Sequence, residues 1–155
     1  EAAFAWGPFS IFGEYNRAVI RRKRADTAQF ESGHVAMTWT LTGESRAPAY
    51  RIGSGEFKRL RPEKNFSLKN GGIGAWELAA RYAYVNLTDG SASETGSVNG
   101  GKEQAFTAAL NWYVNPVIRF MLDWTHVIET GASTSAFNQE AKGLDIFAFR
   151  SQFTF

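Results

Sequence analysis

Residues 145–155, at the end of the chain, alternate between aromatic and polar side chains with a period of two. One set is Phe147, Phe149, Phe153 and Phe155, and the other is Ala148, Arg150, Gln152 and Thr154. This period is that of a β-strand whose two faces meet different surroundings. A soluble sheet would bury the aromatic face under a second layer, whereas a transmembrane β-barrel turns it to lipid and its polar face to a water-filled lumen. The stretch therefore predicts a membrane-spanning strand.

The same alternation recurs along the whole chain. It predicts seven strands, at 1–6, 9–21, 33–42, 74–87, 103–115, 117–128 and 143–155. Tight turns at Gly7-Pro8 and Asn115-Pro116 alternate with polar loops at 22–32, 88–101 and 129–142, as short periplasmic turns alternate with long outer loops in outer-membrane barrels. The exception is a basic link over residues 43–73, to which the pattern assigns no structure. The link contains Arg46, Arg51, Lys58, Arg59, Arg61, Lys64 and Lys69.

Large aromatic side chains are expected at two levels of these strands. On the lipid-facing parity, Trp6, Trp39, Trp76 and Trp112 fall near the short-turn ends, and Tyr84 and Trp124 fall near the long-loop ends. Two such girdles mark the bilayer interfaces of transmembrane barrels. A soluble β-sandwich would explain the alternation but not the girdles or the alternating loop lengths. We therefore predict an all-β, transmembrane antiparallel β-barrel.

Composition and motifs argue against several other classes of protein. A net charge of +2 is too small to indicate nucleic-acid binding, and the absence of cysteine rules out disulfides and cysteine-ligated metals. No window approaches 18 consecutive apolar residues, so no transmembrane helix is predicted. His34 and His126 lie on different strands without acidic residues at metal-ligand spacing, and hydrolase or nucleotide-binding motifs are absent. We predict no enzyme activity, no metal and no cofactor.

Five stretches of the sequence carry a family resemblance. They are Gly7-Pro8-Phe9 with Glu14-Tyr15, Thr40–Arg46, Gly74–Tyr82, Leu110–Pro116 followed by Arg119, and Arg150–Phe155. In this order they resemble the C-terminal part of the phosphate-selective porin O/P family of Gram-negative outer membranes. The resemblance implies a homotrimer of 16-stranded barrels that pass anions such as phosphate or pyrophosphate.

The predicted strand count limits what the chain can be. Residues 1–155 would form the last seven strands of a single 16-stranded barrel domain, with the link at 43–73 of uncertain structure. Bacterial single-chain barrels have an even number of strands, at least eight. An open sheet would leave unpaired backbone groups in lipid. We therefore expect the chain to be a fragment of a longer porin.

Candidate pore residues follow from strand parity. Arginine suits an anion path because its planar fork donates two parallel hydrogen bonds to phosphate. Parity turns Arg81, Arg119 and Arg150 to the lumen, together with the acidic residues Glu14, Glu77 and Asp123. Two interpretations stay open, because these charges could line the permeation path or pair across strands and order the inner wall. Likewise, the basic link could draw anions towards one mouth or be a solvated loop. The family's constriction is expected upstream of this segment.

The sequence thus predicts an outer-membrane porin for passive diffusion of small anions. The alternatives are a weakly selective diffusion porin and a non-conducting outer-membrane β-scaffold. The expected partners are outer-membrane lipid, further copies of the chain in a homotrimer, and the barrel-assembly machinery. A terminal strand ending in Phe153 and Phe155 resembles the signal that this machinery recognises.

Overall fold

The chain folds into β-strands connected by turns and by one long link. A computed structural model describes all residues except 24, 52, 54, 91–95, 132–142 and 155, and all their side chains except those of residues 49 and 56. Within these residues the strands are β1 (Ala2–Trp6), β2 (Phe9–Ile20), β3 (Ala28–Thr40), β4 (Tyr50–Arg51), β5 (Glu56–Phe57), β6 (Ala75–Asp89), β7 (Val98–Tyr113), β8 (Ile118–Gly131) and β9 (Leu144–Phe153). A short 3-10 turn spans Ala47–Ala49. No described helix is long and apolar enough to cross a membrane.

Seven of the strands form one antiparallel sheet in the order β1-β2-β3-β6-β7-β8-β9. Neighbours in the sheet are neighbours in the chain except β3 and β6, which pair across the inserted link. The link contributes its own two-stranded pair, β4 with β5. The predicted all-β antiparallel fold is confirmed, and each of the seven predicted strands is present.

Four predicted strands were too short at the loop side. β3 begins at Ala28 rather than residue 33, β6 continues to Asp89 rather than 87, β7 begins at Val98 rather than residue 103, and β8 continues to Gly131 rather than 128. The added residues continue the ladders, because Ala28 pairs with Ile20 and Lys102 pairs with Gly131. At the loop ends of β6, β7 and β8 the alternation is lost, because register shifts interrupt β6–β7 and β7–β8 and change the parity of one strand relative to its partner.

The sheet has one apolar and one polar face. Apolar side chains on the first are widely exposed, with Phe4 at 64%, Phe147 at 75% and Phe149 at 70%. Aromatic rings stack along it, as Trp76 does on Trp112 with 5.3 Å between ring centroids. A soluble monomer rarely exposes so large a continuous apolar surface, so this face is built to contact an apolar medium or partner.

The link between β3 and β6 packs around the turn end of the sheet. On the polar face, Leu60 is buried against Ala75 and Tyr113. Phe57 of β5 lies 6.3 Å from Phe12, measured between ring centroids. On the apolar side, Phe66 meets the ring of Trp112 at 5.2 Å. The link, to which the sequence pattern assigned no structure, is therefore anchored on both faces.

Gly74 is the last residue of the link before β6, and replacing it tests how tightly this junction is packed. Its φ is +72°, and an added Cβ would lie 2.4 Å from the carbonyl oxygen of Tyr113. That oxygen belongs to the backbone and cannot yield, so we expect Gly74→Ala to lower the free energy of unfolding of the full-length protein by roughly 3 kcal/mol.

The matched control for this prediction is Gly71→Ala. Gly71 has a similar φ of +67°, but its added Cβ would meet nothing within 4 Å. We expect it to cost only about 1–2 kcal/mol, the cost of the left-handed backbone itself. The two variants are compared by urea unfolding in detergent. Equal losses would show that the contact with Tyr113 is unimportant.

Candidate functional site

A buried carboxylate, Glu77, organises the turn end of the polar face. Its side chain is fully buried, at 0% exposure. Oε1 accepts hydrogen bonds from Asn111 Nδ2 at 2.9 Å and from the hydroxyl of Tyr113 at 3.1 Å. Oε2 accepts one from Nε of Arg46 at 2.5 Å. Arg46 comes from the link, so this carboxylate joins β6, β7 and the link in one network.

Tyr113 extends the network towards β8. Its hydroxyl donates to Glu77 and accepts from Arg46 Nη2 at 3.0 Å and Arg119 Nη1 at 3.3 Å. One donated and two accepted bonds use the full capacity of a phenol. Burial disfavours the charge on Arg46, but Tyr113 and Glu77 outweigh burial and raise the pKa of its guanidinium. Arg46 is therefore held as a cation whose charge is neutralised locally.

Two further arginines lie beside this network at the start of β8. Arg59, from the link, donates through Nη1 to the carbonyl of Val117 at 3.0 Å and to Thr154 Oγ1 at 2.7 Å. Arg119 donates through Nη2 to Gln152 Oε1 at 2.6 Å, and its Cζ lies 5.4 Å from the ring centroid of Tyr113. Arg119 is the cross-strand partner of Gln152, which places both guanidinium groups at one corner of the sheet.

This arginine pair, Arg59 with Arg119, carries charge that no described carboxylate neutralises. Among the described residues, the ion pairs are Arg46–Glu77 and His126–Asp145. Nε and Nη2 of Arg59 and Nε of Arg119 are buried and have no acceptor in that part of the chain. Burial and the charge of Arg119 lower the pKa of the Arg59 guanidinium, although arginine stays protonated. The corner therefore holds two neighbouring cations with unsatisfied donors.

The other predicted pore residues lie on the same polar face but apart from this corner. Arg81 is exposed and lines a cavity of about 160 Å³ with His34 and Glu103. Arg150 is exposed, and its Nη2 contacts the sulfur of Met121 at 3.7 Å. Neither arginine pairs with a carboxylate among the described residues. The three predicted acidic residues differ from one another in their surroundings. Glu14 accepts a hydrogen bond from Asn16, Asp123 is half-buried and Glu77 is buried.

The predicted girdle residues share the apolar face. The indoles of Trp76 and Trp112 both donate to the carbonyl of Ile73, at 3.2 and 2.9 Å. Trp124 donates to Asp145 at 2.9 Å. Trp6 and Trp39 are exposed, Tyr84 donates to Glu31, and Phe153 of the predicted assembly signal is 57% exposed. Phe155 lies outside the described residues, as do the loop residues 91–95 and 132–142.

Arg46, Arg59 and Tyr113 are functional candidates that the pattern did not single out. Tyr113 has polar-face parity, because Trp112 before it faces the apolar side, and this signal was available in the sequence. Arg46 and Arg59 were predicted only as members of the basic link, since no period describes the link. No cluster of three metal-ligating side chains occurs in the described part of the chain.

The chain is similar to a protein family and to individual proteins. The family model described as phosphate-selective porin O and P matches residues 1–155. Porin O of Pseudomonas aeruginosa is 34% identical over 127 residues, covering 77% of this chain and 26% of that protein. An uncharacterized protein of Caulobacter vibrioides is 34% identical over 133 residues, covering 86% and 24%. The chain thus spans about a quarter of these curated relatives. No solved structure matches it.

Proposed function

Because the chain belongs to the phosphate-selective porin O and P family, we propose that it forms part of the wall of an outer-membrane channel for small anions. The channel conducts by passive diffusion, its polar face lines the lumen, and phosphate or pyrophosphate is the preferred anion. The full-length protein is proposed to be a homotrimer in a Gram-negative outer membrane, assembled through its C-terminal strand.

The observation that supports anion conduction best is the arginine pair at the turn end. Three buried guanidinium nitrogens without a described acceptor are costly unless an anion or water meets their N–H groups. Two neighbouring guanidinium groups without a carboxylate favour the anion, and their planar forks match phosphate oxygens. At this corner a phosphate leaving or entering the lumen would exchange water for fixed donors.

Arg81 and Arg150 continue the positive potential along the same face. Each is exposed, so each lowers the barrier for an anion without holding it strongly. The second candidate function, a weakly selective porin, is favoured by Glu14 and Asp123, which lie on this face too. The two functions differ in whether phosphate blocks the chloride current.

The test is a planar-bilayer recording of the full-length porin. We expect an anion-selective reversal potential in a KCl gradient and block of the chloride current by added phosphate. Replacing Arg81, Arg119 and Arg150 by Gln should lower the anion-to-cation permeability ratio by about fivefold or more, since even one charge at about 4 Å contributes about 1 kcal/mol in water.

The control removes the same charge from the link. Lys58, Lys64 and Lys69 are exposed, and their joint replacement by Gln should change the ratio much less. If both triple variants shift the reversal potential equally, selectivity comes from the charge at the mouth rather than from the wall. Chloride current without phosphate block would support the weakly selective porin.

A further inference from the structure

At the loop end of the apolar face, polar side chains replace apolar ones. The strand register shows at which residue this change occurs on each strand. On β2, β3 and β6, this boundary row consists of Arg17, Glu31 and Asn86, which pair in sequence across the sheet and continue to Lys102 on β7. On β7 the first polar residue is Gln104, one step nearer the turns. On β8 and β9 the first polar residues are His126 and Asp145, which pair with each other a further step nearer. The polar boundary therefore descends towards β9.

The tryptophans at the turn end descend in the same direction. Trp39 pairs with Leu78, whereas Trp76 and Trp112 occupy the next row towards the turns. Strands of transmembrane barrels tilt by about 35–45°, so a level plane crosses the register diagonally. Two parallel membrane interfaces would produce two boundaries that shift across the strand register in the same direction, as these do.

The distance between the boundaries fits a membrane. Trp76 and Tyr84 are eight residues apart on β6. At about 3.4 Å per residue this is about 27 Å along the strand, or about 20 Å along the membrane normal after tilt. An outer-membrane barrel has an apolar band about 25 Å tall. The polar boundary row thus lies at headgroup level on the loop side.

The part of this boundary on β2, β3 and β6 forms a built polar cleft. Glu31 accepts hydrogen bonds from the hydroxyl of Tyr15 at 3.0 Å and from that of Tyr84, which fix its carboxylate. Arg17 donates to the side chain of Gln29. A cavity of about 290 Å³ lies here, lined by Arg17, Gln29, Phe30, Glu31, Asn86, Thr88 and Asp89.

We propose that this outer cleft binds the phosphorylated saccharide headgroup of lipopolysaccharide in the outer leaflet. The inference rests on the proposed function, because it requires the barrel to lie in an outer membrane. Arg17, with Lys102 on the same boundary, donates to the phosphate. Glu31, Gln29 and Asn86 hydrogen-bond the sugar hydroxyls, and the acyl chains lie on the apolar side chains below. The two cations of the boundary meet the phosphate, and the carboxylates of Glu31 and Asp89 add acceptors for sugar hydroxyls at the edge of a lipid-facing surface.

The experiment measures lipopolysaccharide bound to the full-length porin. Wild type and the Arg17→Gln/Glu31→Gln variant are purified in detergent, incubated with purified lipopolysaccharide and analysed for bound 3-hydroxy fatty acid. We expect the variant to retain about five- to tenfold less, because it loses two charge-assisted contacts. The control Glu63→Gln/Lys69→Gln removes the same charges from exposed positions of the link and should bind as wild type does.

Two outcomes would decide against the cleft. Equal binding by the two double variants and wild type would overturn the proposal. If the cleft variant instead turns an oligomeric porin into monomers on native electrophoresis, this surface is a contact between copies of the chain. Bilayer recordings of the same samples separate the two proposals, because the cleft variant should keep the wild-type reversal potential. Lipopolysaccharide binding by a protein without anion selectivity would refute the pore proposal alone.

Discussion

Glu77→Leu is expected to destabilise the folded full-length porin by roughly 3–5 kcal/mol. The substitution removes the carboxylate that neutralises Arg46 at 2.5 Å and leaves a buried guanidinium without a counter-charge. It also leaves the amide of Asn111 and the hydroxyl hydrogen of Tyr113 without an acceptor, because both donate to Oε1 of Glu77. Urea unfolding in detergent measures the loss, and tryptic cleavage at Lys58 and Lys64 reports release of the link.

A second variant separates the charge effect from simple misfolding. In Arg46→Met/Glu77→Leu both charges are gone, and we expect the stability to recover by about 2 kcal/mol or more relative to Glu77→Leu, because a buried ion pair can be exchanged for apolar side chains at small net cost. Glu63→Leu, at an exposed position of the same link, should change stability by less than about 0.5 kcal/mol. A Glu77→Leu protein as stable as wild type would mean that the network does not anchor the link.

Arg59→Gln/Arg119→Gln is expected to weaken phosphate block of the chloride current by about thirtyfold or more. The substitutions take away both charges of the arginine pair, and each hydrogen bond to a charged group contributes about 1.5–3 kcal/mol. The measurement is the phosphate concentration that halves the single-channel chloride current of the full-length porin.

Two further variants distinguish a local phosphate site from general positive potential. Arg150→Gln removes one charge from the same face, outside the arginine pair, and should weaken block only about two- to threefold. Arg119→Lys keeps the charge but not the planar fork of the guanidinium group. Compared with Arg119→Gln, it should therefore recover the chloride conductance more fully than the phosphate affinity. Equal effects of the Arg150 variant and the double variant would show that the pair is not a binding site.

The alternation of side chains predicted the strands and their faces because a strand places successive residues on opposite sides whatever follows later in the chain. Arg81, Arg119 and Arg150 could be placed on the polar face by this rule, and Trp39, Trp76 and Trp112 on the apolar one. The rule failed at the loop ends, where a bulge shifts parity. Glu129 faces the apolar side for this reason, opposite Gln104.

The candidate sites needed contacts between distant segments. Arg46 and Arg59 belong to a link without periodicity, and their partners Glu77, Tyr113 and Thr154 lie 31 to 95 residues away. The outer cleft likewise depends on which residue of β2 stands opposite which residue of β3 and β6. Period and parity, which are local properties of a chain, determined the architecture and its two faces. Only the register of the strands and the path of the link decided where charges meet, because hydrogen bonds and burial between distant residues set both.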